Sequence, residues 1–206
     1  MDLLQNFLIA CIFSFIGSIP PGTLNVTILQ LGLNQKLKIA WRFALAAALV
    51  EYPYAWLAVV FESYITSSTG IIDNFKLISS LVMVVVGVFN LWAAHRPSAL
   101  AKKFQSSGFR RGIVLSILNP LALPFWIAIT AYLKVQGWIS LSNNPQLHMY
   151  LLGVSAGALG LLLLVAYTAK YMIPLFQSNA RVKYIPGSVL LLLGLYGFME
   201  YVLEKL

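Results

Sequence analysis

The chain has 206 residues, 60% of them hydrophobic and 10% charged, with a mean hydropathy of +0.83. Soluble domains carry about 25% charged residues, so this composition excludes a soluble globular protein and indicates a membrane one. A net charge of +8 would suit nucleic acid, but the placement of the charges argues against that.

The N-terminus, MDLLQNFLIACIFSFIG, lacks the basic start of a secretory signal and runs apolar past any cleavage site, so it reads as a retained first span. A membrane helix needs about 20 predominantly apolar residues. Six segments qualify: 3–33, 40–61, 72–94, 110–133, 147–173 and 185–203. The expected fold is all-α and polytopic, a single transmembrane domain over residues 1–206 with six helices. The first segment is too long for one straight span, since at ~1.5 Å per residue it would reach about 45 Å. A break is therefore expected inside it, at GSIPPGTLN, residues 17–25. The longest polar connection, rich in basic residues, lies between the third and fourth spans, at 95–109.

Eleven of the 14 basic residues lie on one side of this arrangement. They are Lys36, Lys38 and Arg42 after the first span, Arg96, Lys102, Lys103, Arg110 and Arg111 before the fourth, and Lys170, Arg181 and Lys183 after the fifth. Lys76, Lys134 and Lys205 lie on the other. The positive-inside rule makes the first set cytoplasmic and puts both termini outside. The basic residues thus set topology, and no nucleic-acid partner is expected.

The fourth span carries LSILNPLALPFW, residues 115–126, which echoes GSIPPGTLNV. Each places Ser-Ile shortly before a helix-breaking proline, mid-span. Spans 1–3 (residues 1–94) and 4–6 (110–206) then read as two repeats. Three crossings each make the second inverted relative to the first, a recurrent plan of secondary transporters. Proline removes an N–H and frees a carbonyl one turn earlier, and such groups persist in a membrane only where protein or a water-filled cavity satisfies them. A lone proline would be read as a kink. Two matched breaks, flanked by Thr23 and Asn25 in one and Asn119 in the other, point to a substrate-lining site of Pro20, Pro21, Gly22, Thr23, Asn25, Asn119 and Pro120.

The second span places Glu51 ten residues from Trp41 and ten from Phe61, at the bilayer midplane. A carboxylate there costs about 3 kcal/mol on insertion scales, and such groups face a cavity or a partner. Glu51 is read as a proton-coupling residue or a ligand for a substrate amine. The bland alternative is a neutral acid that ties helices together. Glu62, Asp73, Glu200 and Glu204 fall at the outer boundary, where solvation explains them. His95 and His148 are too far apart for a metal cluster, and the single Cys11 provides neither a disulfide nor a thiol cluster. No catalytic constellation, metal site or cofactor is expected. Trp41, Trp92, Trp138, Tyr184 and Tyr201 read as interfacial anchors. Gly153, Gly157 and Gly160 form a small-residue face for close helix packing, within the chain or across a homodimer.

With Pro21-Gly22, Glu51 after ALAAALV, and Asn119-Pro120 within FRRGIVLSILNPLALPFW in view, the chain resembles the LysE/RhtB family of amino-acid exporters. Thr23 stands where that family's second proline is usual, Glu51 replaces the commoner aspartate, and Leu121 stands in place of the lysine after Asn-Pro. The resemblance implies a bacterial inner-membrane exporter of amino acids or related small polar solutes, driven by the proton gradient. Its partners would be the solute, protons and the bilayer. The alternatives are a metal-cation or other small-solute transporter of the same fold, or a membrane scaffold without cargo.

Overall fold

In a computed structural model of the chain, the residues described are 3–19, 22–67, 107–119, 122–177 and 185–205, with eight positions between 77 and 91. Pro20, Pro21, Pro120, Leu121, most of the 72–94 segment and all of 95–106 lie outside them. The described residues form α1 (Leu3–Gly17), α2 (Thr23–Leu33), α3 (Leu37–Ser67), α4 (Gly108–Ile117), α5 (Ala122–Val135), α6 (Asn144–Gln177) and α7 (Ile185–Lys205). The eight positions between 77 and 91 are helical too.

The expected break in the first span is present: α1 ends at Gly17 and α2 begins at Thr23. The fourth span is likewise divided, and α4 and α5 are inclined by 67°. The helices within Leu37–Tyr64 and Asn144–Tyr171 are each long and apolar enough to cross a membrane alone, and the α4–α5 pair makes a third candidate span. The chain is an all-helical, polytopic membrane protein.

Its helices are turned inside out relative to those of a soluble protein. On α1, Leu4, Leu8, Ile12 and Ile16 form an exposed stripe at i, i+4 spacing, while Asn6, Ala10 and Ser14 are buried. Buried polar groups must be hydrogen-bonded where no water reaches. Ser14 accordingly donates to the Val154 carbonyl at 2.6 Å, and the Asn6 amide donates to the Ser140 carbonyl at 2.6 Å.

The two broken helices are interleaved with the two long ones. α1 and α2 lie chiefly on α6, whereas α4 and α5 lie on α3, and α3 crosses α6 between them. Glycines bring backbones into contact at most of these crossings. A methyl at Gly153 or Gly157 of α6 would overlap the Phe7 or Cys11 carbonyl of α1, and one at Gly32 of α2 would overlap the Ala166 carbonyl of α6. Gly108 and Gly112 of α4 meet the Ile39 and Phe43 carbonyls of α3 in the same way. The face at Gly153 and Gly157 is therefore used within the chain. Between residues 77 and 91, buried Ser80 lies against Gly194 and Gly197 of α7.

Two apolar cores result. One, at the end bearing Lys36, Arg42 and Arg111, joins Ile28 of α2, Phe43 and Ala44 of α3, Leu115 of α4 and Val165 of α6. The other joins Ala10 of α1, Ala55 and Ala58 of α3, Trp126 and Leu133 of α5, and Leu151 and Val154 of α6. On α3 the first core ends at Ala47 and the second begins at Ala55. Glu51 falls between them, as do the breaks in both divided helices.

Candidate functional site

At the first break, the last turn of α1 tightens. Ser18 N–H donates to the Ser14 carbonyl at 3.0 Å and Ile19 N–H to the Ile16 carbonyl at 3.1 Å. Gly22 is extended (φ −125°, ψ −176°) as the N-cap of α2, with no side-chain cap. Asn25 is buried, and its amide donates to the Ser18 carbonyl at 2.7 Å. This bond reaches back across the break and satisfies a carbonyl that the continuing helix would have used. Thr23 is exposed at the start of α2.

The second break is built alike but closed from outside. Asn119 N–H donates to the Ser116 carbonyl at 3.0 Å, and Ala122 N–H to the Asn119 carbonyl at 3.4 Å. The freed Ile117 carbonyl accepts a bond of 2.7 Å from the Tyr54 hydroxyl of α3. Tyr54 is three residues past Glu51 and so shares its face of the helix.

Glu51 accepts a hydrogen bond from the Trp126 indole N–H, with Nε1 to Oε2 at 2.8 Å. Trp126 sits in the first turns of α5, just past the second break, and is 2% exposed. An indole nitrogen can only donate, so it holds one carboxyl oxygen and leaves the other for a proton or an amine. Among the described residues no basic side chain pairs with Glu51. The preceding residue, Phe125, packs edge-on against Trp126 with centroids 5.0 Å apart. A methyl at Gly17, the last residue of α1, would overlap the Phe125 ring. Phe125 and Trp126 thus connect the first break to Glu51 and the second.

The structure brings Glu51 to the second break through Trp126 and Tyr54, and the first break to the same place through Gly17. The predicted Pro20, Pro21 and Pro120 lie outside the described residues. Sequence reasoning missed Phe125, Trp126 and Tyr54. Their signal was weak, an aromatic pair directly after the broken turn and a tyrosine one helical turn beyond the carboxylate.

Glu62 departs from its expected solvated position. It is 4% exposed and accepts a 2.6 Å bond from Lys134 at the end of α5. Topology puts both residues on the outer side, and their pairing explains why Glu62 tolerates burial. Nearby, the Tyr150 and Thr130 hydroxyls pair at 2.8 Å, and Tyr52 pairs with His148 at 2.6 Å. An apolar hollow of about 320 Å³ opens elsewhere, between α1, α3 and α6. Phe7, Leu49 and Leu152 line it, and no predicted site residue does.

The model of the family described as LysE type translocator matches residues 15–200 of the chain. No curated protein and no solved structure matched it.

Proposed function

The chain belongs to the LysE type translocator family, and from that premise we propose that it is a proton-coupled secondary transporter. It exports amino acids or related small polar solutes across a bacterial inner membrane, with both termini outside. The observation that carries this reading is the Trp126–Glu51 bond at 2.8 Å, because it sets a midplane carboxyl beside a broken helix. Glu51 alternates between a protonated state and one engaged with the solute's amine. Thr23 and Asn119 supply hydrogen bonds to the solute, and Asn25 holds the first break in shape through Ser18. The backbone groups of Gly22 and Asn119, which border the two breaks, complete the site.

The halves 1–94 and 110–206 serve as inverted repeats, and the interleaved packing favours a particular pair of moving bodies. One is α1–α2 with α6, the other α4–α5 with α3, each broken helix riding on the long helix of the other half. Rocking at the α3–α6 crossing would expose the layer between the two cores first to one side and then to the other.

The test is solute-driven proton movement in proteoliposomes that enclose a pH dye, with amino acids and related amines compared across wild type and Glu51→Gln. Proton movement in wild type and its loss in the variant are expected. Equal responses would remove Glu51 from the coupling role, and silence from folded wild type would favour the scaffold reading. Trp126→Phe should retain the fold and slow transport about tenfold, the scale of one hydrogen bond to a charged group.

A further inference from the structure

By sequence, Arg111 belongs with the basic residues that fix topology, one of an adjacent pair. The structure separates that pair. Arg110 is exposed at the start of α4, whereas Arg111 is half-buried and turned towards α2. Its Nη2 reaches the Thr27 hydroxyl at only 3.4 Å, and its Nε is buried with no hydrogen-bond partner.

A guanidinium presents five donors in a planar fork suited to two parallel bonds with a carboxylate. Here one donor makes a long bond to a neutral hydroxyl and another makes none. The two carboxylates whose surroundings the structure describes are engaged elsewhere, Glu51 with Trp126 and Glu62 with Lys134. A cation held half-buried and short of acceptors is costly unless an anion arrives. A residue serving topology alone would extend into water, as Arg110 does.

The position is informative as well. Thr27 lies one turn past Thr23, about 6 Å along α2 from the first break. The N-terminal N–H groups of α2 face that break with no side-chain cap on Gly22. We propose that Arg111 binds the carboxylate of the transported solute on the basic side of the site, while Glu51 takes the amine. This deepens the transporter reading and rests on it. It narrows the cargo to solutes that carry both a carboxylate and an amine. The shared chemistry is an oxyanion, and a lipid phosphate is the other source of one.

The test is ligand-induced thermal stabilisation of the purified full chain. The probes are the common L-amino acids, their carboxamides, and the corresponding decarboxylated amines. Wild type, Arg110→Gln, Arg111→Gln, Arg111→Lys and Glu51→Gln are compared in nanodiscs of zwitterionic lipid and of lipid containing phosphatidylglycerol. At least one free amino acid should stabilise wild type and Arg110→Gln, and its carboxamide should bind about tenfold or more weakly. Arg111→Gln should abolish that preference, binding acid and amide alike, and Arg111→Lys should retain part of it. Gel filtration and the unliganded melting curve establish that each variant is folded, and Arg111→Lys carries the test should Arg111→Gln fail to fold.

If acid and amide bind wild type equally but both need Glu51, the inference about Arg111 fails and the transporter site stands. If Arg111→Gln changes stability only in anionic lipid and leaves the acid preference intact, the guanidinium binds lipid phosphate and the inference again fails. If no probe binds folded wild type, the amino-acid reading and the inference fall together.

Discussion

α4 and α5 both lie on α3, yet they hold it by different means. α4 does so with glycines: Gly108 and Gly112 press against the Ile39 and Phe43 carbonyls, and nothing larger fits. α5 does so with polar side chains, Trp126 on Glu51 and Lys134 on Glu62. In a membrane the hydrophobic effect does little to join helices, so association depends on close packing and on polar bonds. A glycine contact is fixed by geometry and ignores pH and ligands. A bond to a carboxylate is weakened by a proton and contested by a competing cation. The first broken helix is held by glycine contacts in both of its parts, at Gly153 and Gly157 for α1 and at Gly32 for α2. The attachment of α5 to α3 is therefore one whose chemistry can change with protonation or with a bound cation.

The largest effect is expected from breaking the α5 side. Lys134→Met should destabilise the folded protein by about 3 kcal/mol, because it removes the cation that pairs with a buried carboxylate. The figure is at the low end for a buried pair because Lys134 is itself 36% exposed and partly screened. Adding Glu62→Gln should restore most of the loss. Unfolding of the two single variants and the double variant in detergent would measure the coupling, and additive losses would show that the pair does not hold α5.

The α4 side should answer differently. Gly112→Ala forces a methyl onto the Phe43 carbonyl and the Ala46 methyl, and should cost about 2 kcal/mol. No second substitution of charge should rescue it, and its cost should not vary with pH. A pH-dependent cost would mean that α4 is not the rigid partner.

Much of the site was legible because its signals are rare in their setting. Prolines and a carboxylate stand out in apolar spans, so both breaks and Glu51 could be read directly. Which long helix carries which broken one could not. Leu8 and Leu151 are the same residue type, but one faces outward and the other is fully buried, so apolar periodicity loses its meaning where the solvent is lipid. Glu62 shows that nearness to a span end does not fix exposure, since the pairing with Lys134 that allows its burial joins two distant helices. The glycines announced close packing without naming the partner, and the Cα-to-carbonyl contact that uses them involves backbone atoms, which carry no sequence identity. Trp126 was visible in the motif itself, yet an aromatic residue in a membrane span is too common to single out.

The smallest expected effect would sharpen the contrast between the two breaks. Each leaves a carbonyl that needs a donor, but the donors differ in reach. Ser18 is capped by Asn25, seven residues away on the helix that follows the break, so its bond survives any movement of α1–α2 as a unit. Ile117 is capped by Tyr54 from α3, 63 residues distant in sequence. That bond exists only while α3 and the end of α4 stay together. Tyr54→Phe removes it and should cost about 1 kcal/mol, the ordinary worth of one hydrogen bond. Asn25→Ala should cost a similar amount, so stability alone will not distinguish them. Amide hydrogen exchange will, since Tyr54→Phe should speed exchange at Ala122 and the first turn of α5 while leaving Thr23 to Val26 unchanged, and Asn25→Ala should do the reverse. Equal acceleration at both breaks in either variant would show that the two are one coupled unit, and that the distinction between a rigid first break and a releasable second one is wrong.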